Sequence, residues 1–276
     1  MSRHQKDLTP GHLEEWYNAL TQTHSKSVVQ HTRAFVNMVL CQAVRRGHLH
    51  HHPGLVTELP SMTTTPIAKA LTPQAVTSLL SVAKEHDALH GTDMYLFLYL
   101  APSLGLRHGE LLGLQWSDIN VQNSTLRIDR AVTVNEAGGV YITQPKTRAS
   151  RRTLYLTPEH LALLSERQQR GGLWVFTMPQ GQPRNQNNVR RSYRVLLKAA
   201  GLDVKTRIHA LSHTFASHLI GSGHDPKVVS DLMGHTDPRL TLAIYTHTQD
   251  ESRKRAAPTA SALFTPDRAK KAVGVD

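Results

Sequence analysis

Residues 207–219 read RIHALSHTFASHL and set two histidines, His209 and His213, around Ser212. Elsewhere the chain carries Arg107 and Glu110 in GLRHGELLGL, Lys146 in QPKTRASRR, His235 in LMGHTDP and Tyr245 in LAIYTH. Guanidinium forks, an ammonium, imidazoles and a phenol can together bind an anion, move a proton and attack an electrophile. Each residue alone also has an ordinary reading. Arg107 and Glu110 are three apart, the spacing of a helix ion pair. A lysine just after a strand is commonly solvated, a histidine at a helix end commonly caps or packs, and a tyrosine in an apolar run is commonly core. Their order along a basic chain is therefore what carries information.

Lysine and arginine total 32 against 21 for aspartate and glutamate, so the formal charge is +11 with histidines neutral. That excess points to a polyanionic partner. A membrane surface fits less well, because no basic amphipathic helix stands apart from the rest. Hydrophobic residues make up 39%, enough for a core, and aromatics only 5%, so Leu, Val, Ala and Ile must fill it. Cys41 is the single cysteine, which excludes an intrachain disulfide and a cysteine-based zinc site. In FVNMVLCQAV it reads as inert core. Histidines 48 and 50–52 form the run HLHHH. Neighbouring histidines in a loop rarely hold tetrahedral geometry without support, so no metal site is expected there. MSRHQKDLTP lacks an apolar signal run and no stretch of 18 apolar residues occurs, so the expectation is a cytoplasmic chain that does not enter a membrane.

The elements that must position these groups are mostly helical. LTPGHLEEW, LTPQAVTSLL and LTPEHLALL each offer a threonine N-cap followed by proline at the first helical position. Residues 1–60 read as a small helical domain with a longer helix over SKSVVQHTRAFVNMVLCQAVRRGHL. Its predicted apolar stripe is Val28, Val29, Phe35, Val36, Val39, Leu40 and Val44. SMTTTPIAKA, residues 61–70, has linker chemistry. From residue 71 to 248 helices resume, interrupted by TLRIDRAVTV, GVYITQPK and RRTLYL, which read as three strands with NEAGG as a hairpin loop. NNVRRSYRVLLKAAG reads as a basic helix stopped by Gly201, and DPKVVSDLMGH as one stopped by Gly234. Residues 249–276 read as a basic tail. The predicted fold class is mainly α, with an α+β second domain holding a small three-stranded antiparallel sheet.

The succession GLRHGELLGLQWSDI, a lysine at a β-turn, HALSHTFASHL and LMGHTDPRLTLAIYTH resembles the tyrosine recombinase family of phage integrases and Xer-like proteins. The resemblance covers about residues 71–248 and, more loosely, the helical unit before it. Its most specific part is the Gly-His pair followed by Asp-Pro, with a tyrosine ten residues after the histidine. It implies a core-binding domain and a DNA breaking and rejoining catalytic domain that clamp double-stranded DNA, with no cofactor and no metal. By the same resemblance Tyr245 is the nucleophile that forms a 3′-phosphotyrosyl link, and Arg107 is the first clamp arginine. Lys146 protonates the leaving 5′-oxygen, His209 is the acid/base, and His235 bonds a phosphate oxygen or the nucleophile's side. Glu110 orients the site.

The resemblance also exposes a departure. The family pattern is His-x-x-Arg, with a second clamp arginine three residues after the histidine, and here that position is Ser212. A hydroxyl donates one uncharged hydrogen bond. Arg207, two residues before His209, would lie about 200° round a helix and should not substitute. Three explanations stay open: an engineered change that slows cleavage, a natural one that leaves a weak recombinase, or a DNA-binding protein on the same fold that no longer cuts. Candidate phosphate contacts are Lys26, Arg33, Arg45 and Arg46 in the first domain. In the second they are Arg148, Arg151, Arg152, Arg184, Arg190, Arg191 and Arg194. Self-association on DNA, as a synaptic tetramer, is implied by the resemblance, with the apolar patch in SALFTPDRA (261–269) as a candidate contact. A nucleoid association follows from the DNA partner. The first domain reads as about one helix shorter than the family's, and no arm-binding segment is expected before it.

Overall fold

Leu-Thr-Pro opens a helix at each of its three occurrences. In α1 (Pro10–Thr21) Thr9 Oγ1 accepts from the His12 amide at 3.4 Å, and His12 Nδ1 accepts from the Thr9 amide at 3.3 Å. In α3 (Pro73–His90) Thr72 Oγ1 accepts from the Ala75 amide at 3.2 Å. In α6 (Pro158–Gln168) the Thr157 amide donates to His160 Nδ1 at 3.1 Å. These bonds satisfy amides that a helix start leaves without partners. They are seen in a computed structural model that describes residues 8–61, 70–144, 151–235 and 241.

The chain divides into two compact units, Met1–Ile67 and Ala68–Asp276. In the first, α1 packs on α2 (Lys26–Arg45) and on a 3₁₀ turn, Pro53–Leu55. Its buried apolar residues are Leu13, Tyr17, Val29 and Leu40. The stripe expected along α2 is only partly covered. Val29 and Leu40 are buried, but Val28, Phe35 and Val39 are 43%, 62% and 49% exposed. Among the described residues of this unit, one helix and a turn pack against α2 and leave part of its stripe exposed. Cys41 is half-buried rather than core, and His52 Nε2 lies 3.0 Å from the Asn37 carbonyl.

The second unit is built round α4 (Met94–Leu104), whose sequence MYLFLYLAPSL is apolar on every side and buries seven residues. It packs against α3 and α8 (Ala210–Gly221). Gly105 ends α4 at φ 65°, and a Cβ there would meet the Phe215 ring of α8 at 2.5 Å. The α8 face also grips the start of α3: the Leu71 amide donates to Thr214 Oγ1 at 3.0 Å, and His218 Nε2 lies 2.9 Å from the Leu71 carbonyl.

An antiparallel sheet of three strands is present, β1 (Ile119–Asn120), β2 (Thr125–Ile128) and β5 (Arg152–Tyr155), in the order β1-β2-β5. The expected hairpin forms a separate two-stranded sheet, β3 (Ala131–Val134) with β4 (Val140–Thr143). TLRIDRAVTV is therefore two strands, not one. Between them Arg130 is drawn back to Asp118, which is 4% exposed, and to the Gly113 carbonyl at 3.4 Å. In the NEAGG turn the Asn135 amide donates to the Gly139 carbonyl at 3.0 Å and Gly138 sits at φ 82°. Next come α5 (His108–Leu112), preceding β1 in the chain, then α7 (Gln186–Ala199) and α9 (Pro226–Met233). As expected, Gly201 and Gly234 take left-handed conformations past the ends of α7 and α9, at φ 69° and 63°.

The helix α5 rests directly on the hairpin. A Cβ at Gly109 would stand 2.6 Å from the Val132 carbonyl oxygen, a backbone atom that cannot step aside. Gly109→Ala should therefore cost roughly 1–3 kcal/mol, the usual penalty of overpacking. Thermal denaturation followed by circular dichroism checks this. The melting temperature should drop by several degrees, as expected for a unit of this size.

Candidate active site

Glu110 is 6% exposed and its two oxygens hold two arginines. Oε2 accepts from the Arg107 amide at 2.8 Å, closing the first turn of α5, while Oε1 accepts from Arg107 Nη1 at 2.8 Å. Arg152, at the start of β5, grips the same carboxylate with Nη1 at 3.0 Å and Nη2 at 2.9 Å. Burial pushes the Glu110 pKa up, but the Arg152 hydrogen bonds and the Arg152 and Arg107 charges outweigh it, so the net direction is down. Both guanidiniums then reach the end of α9: Arg107 Nη2 donates to the Gly234 carbonyl at 3.0 Å and Arg152 Nε to the Leu232 carbonyl at 2.6 Å. The last carbonyls of a helix lack partners within it and carry partial negative charge. One carboxylate and two guanidiniums thus tie α5, β5 and α9 together. The Arg152 side chain is 7% exposed and that of Arg107 is 39% exposed, so the surplus positive charge of the trio faces out through Arg107.

His235 follows Gly234. Its amide donates to the Ser230 carbonyl at 3.1 Å, and its Nδ1 lies 2.8 Å from Thr241 Oγ1. Burial, then the charges of Arg107, His213 and Arg152, push its pKa down to about 4 against a smaller opposing effect of Glu110. His209 caps α8 at the surface. Burial of part of its ring and the charges of Arg190, Arg107 and Arg207 lower its pKa. Both imidazoles are therefore neutral at pH 7. Arg107, His108, Gln186, Arg190 and His209 line one cleft of about 370 Å³. On its other side the His209–Arg190 ridge borders a second cleft of about 680 Å³, with Arg194, Lys205 and Arg207. The Ser212 hydroxyl donates to the His209 carbonyl at 3.0 Å, and Ser212 is 8% exposed.

Four expected site residues, Arg107, His209, Ser212 and His235, and the Glu110 beside them, thus fall in one region; Lys146, Arg148 and Tyr245 lie outside the described residues. Arg45, Arg46, Arg151, Arg190, Arg191 and Arg194 are exposed, Lys26 and Arg184 are half-buried, and Arg33 spends Nη2 on the Thr57 carbonyl at 2.8 Å. Arg152 is a correction: it is no surface contact but the buried partner of Glu110. Strand alternation held the signal, since Arg152 shares a strand face with Leu154, which is 3% exposed. Arg207 needs a different account too. The helix begins at Ala210, so no helical angle relates Arg207 to His209; it lines the second cleft and is not among the residues around Arg107. His108 and Gln186 were not anticipated. Gln186 Nε2 donates to the Val132 carbonyl, and His108 stands edge-on to Phe97, its ring nitrogens without a hydrogen-bond partner among the described residues.

Known proteins resemble this chain in sequence and in fold. The model of the phage integrase family matches residues 69–252. A tyrosine recombinase XerC-like protein of Caldanaerobacter subterraneus subsp. tengcongensis is 30% identical over 279 residues, covering 91% of this chain and 70% of its own length. An integrase of Streptomyces ambofaciens is 27% identical, covering 88% of this chain and 66% of its own length. Among solved structures, the Tn1549 transposon integrase in complex with a circular intermediate DNA superposes with a TM-score of 0.80 at 21% identity, over 94% of this chain and 87% of that one. A lambda integrase dimer bound to a COC′ core site gives 0.62 at 18% identity, over 86% and 82%.

Buried His108 generates a test of the electrostatics. Burial, Arg190 and His209 push its pKa down to about 3. The folded chain therefore binds fewer protons than the unfolded one between about pH 3 and 6.5. Stability from this group is complete above the unfolded value and is lost as pH falls towards the folded one, by at most about 2 kcal/mol at pH 5. Melting temperatures at pH 7 and pH 5 should differ less in His108→Phe than in the unaltered chain. An equal difference in both would show that His108 is not held neutral.

Proposed function

The chain belongs to the phage integrase family, and from that membership we propose that it is a site-specific recombinase that cuts and rejoins double-stranded DNA through Tyr245. In this reading the Tyr245 oxygen bonds to the scissile phosphorus as the bond from phosphorus to the 5′-oxygen breaks. His209 takes the phenolic proton and Lys146 gives one to the leaving oxygen. The product is a 3′-phosphotyrosyl ester and a free 5′-hydroxyl, so the energy of the broken bond is kept for rejoining. Arg107 meets the charge that builds on the non-bridging oxygens, where a fixed guanidinium is most effective. His235 stands next to it as a hydrogen-bonding group.

The observation that carries this reading is the Glu110 arrangement. It fixes Arg107 with an outward-facing edge, in the same cleft as an imidazole kept in its proton-accepting form. Exposed arginines on α2 and α7 suit a backbone-tracking grip, with binding that weakens steeply as salt rises. Assembly as a tetramer on paired sites belongs to the same proposal.

Ser212 supports a second reading, a DNA-binding protein that has lost cleavage. Its hydroxyl proton is already spent on the His209 carbonyl, so it offers a phosphate no proton. Losing a charged donor from a transition state costs on the order of 10²- to 10³-fold in rate. Trapping on nicked duplexes from DNA flanking the chain's own gene separates the two. A band linked covalently to DNA on denaturing gels, absent in Tyr245→Phe and stronger in Ser212→Arg, is the expected result. Tight binding with no band in any variant would favour the binding-only reading.

A further inference from the structure

The first cleft holds a cation to which the reading above gives no part in the chemistry. Arg190 sits in the second turn of α7 and lines the cleft with Arg107 and His209. Its guanidinium is held by two neutral acceptors: Nη1 donates to Asn187 Oδ1 at 3.1 Å and Nη2 to Gln186 Oε1 at 3.3 Å. Gln186 is itself fixed, because its Nε2 donates to the Val132 carbonyl of β3. The arginine is thus oriented without being neutralised, and no carboxylate is among its partners in the described residues. Its field is felt at His209 and at His108, which line the same cleft. Arg194 and Arg207 line only the second cleft, and Arg152 is committed to Glu110.

We propose that Arg190 supplies the second guanidinium of the phosphate clamp, replacing from α7 the charge that Ser212 cannot provide from α8. A phosphate between Arg107 and Arg190 would meet two charged forks, with His209 at its edge. The substitution at 212 then relocates the second charge rather than removing it. This rests on the recombinase reading, and it makes Arg190 a catalytic residue rather than one more backbone anchor.

Single-turnover formation of the covalent adduct on nicked duplex, with Kd for the same DNA measured beside it, tests the proposal. Arg190→Gln should slow adduct formation about 10²- to 10³-fold, as loss of a preorganised transition-state donor does. Kd should change only about threefold, since one phosphate contact among many is lost. Arg190→Lys, which keeps the charge but not the fork, should recover part of the rate. In the Ser212→Arg background the loss from Arg190→Gln should shrink to less than about tenfold, because the two arginines serve one role and their effects do not add. A methylphosphonate at the scissile position, which removes one phosphate charge, should restore much of the Arg190→Gln rate. The proposal is overturned if Arg190→Gln costs the same with Ser212 and with Arg at that position. It also falls if rate and Kd decline together with no methylphosphonate rescue. Absence of adduct in the unaltered chain and in Ser212→Arg alike would instead overturn the recombinase reading, and the clamp with it.

Discussion

A single buried carboxylate holding two guanidiniums is the constraint on which the second unit's site depends. Ion pairs out of water cost desolvation, and their worth rests on geometry and on full hydrogen bonding. Glu110 meets that condition: each oxygen accepts from Arg107 and from Arg152. The arginines use further N–H groups on the last carbonyls of α9. A short helix, an edge of the sheet and the segment leading to His235 are thereby set against one another by charged hydrogen bonds. Removing Glu110 would leave Arg152 buried without its counter-charge, whereas removing an exposed arginine leaves nothing stranded.

The same arrangement explains the protonation of the site. Four histidines of this region, His108, His209, His213 and His235, have pKa values shifted down, each with burial as the largest cause and neighbouring cations or imidazoles adding to it. A site crowded with positive charge keeps its imidazoles neutral and leaves the fixed guanidiniums to attract an anion. An arriving phosphate would relieve that repulsion. A helix that loses one cation can then be compensated from another helix, because what the anion senses is the field in the cleft and not the element that supplies it. In the clamp proposed above, Arg190 takes the place of the charge missing at Ser212, 22 positions away in the chain.

Much of this was legible in the residues. Threonine followed by proline fixed three helix starts, an all-apolar run marked the central helix, and Asn-Glu-Ala-Gly-Gly marked the hairpin. What was not legible depended on partners distant in sequence. TLRIDRAVTV has unbroken strand chemistry, and it breaks because Arg130 is pulled back to Asp118. The α2 stripe has helical periodicity, but periodicity does not say how much of a stripe finds cover. Arg107 and Glu110 read as an i, i+3 pair, which is right and incomplete, since Arg152 arrives from 42 positions away. RASRR looks like a solvated basic run, and only the alternation from Arg152 to Leu154 betrays the inward residue. No spacing in the sequence brings α7 to α5, so Arg190's place beside Arg107 is a property of the fold alone.

In the recombinase proposed, Glu110 acts by holding Arg107 where a phosphate's charge develops. The most direct test is the cleavage rate of Glu110→Gln protein under single-turnover conditions, on protein shown by circular dichroism to be folded, with DNA affinity measured on the same sample. Loosening the clamp should reduce adduct formation by about 10²-fold or more, in line with the loss of a preorganised donor, while Kd changes by no more than about threefold because the remaining phosphate contacts are untouched. Adduct formation at the unaltered rate in folded Glu110→Gln protein would contradict the account, because Arg107 would then hold its place without the carboxylate.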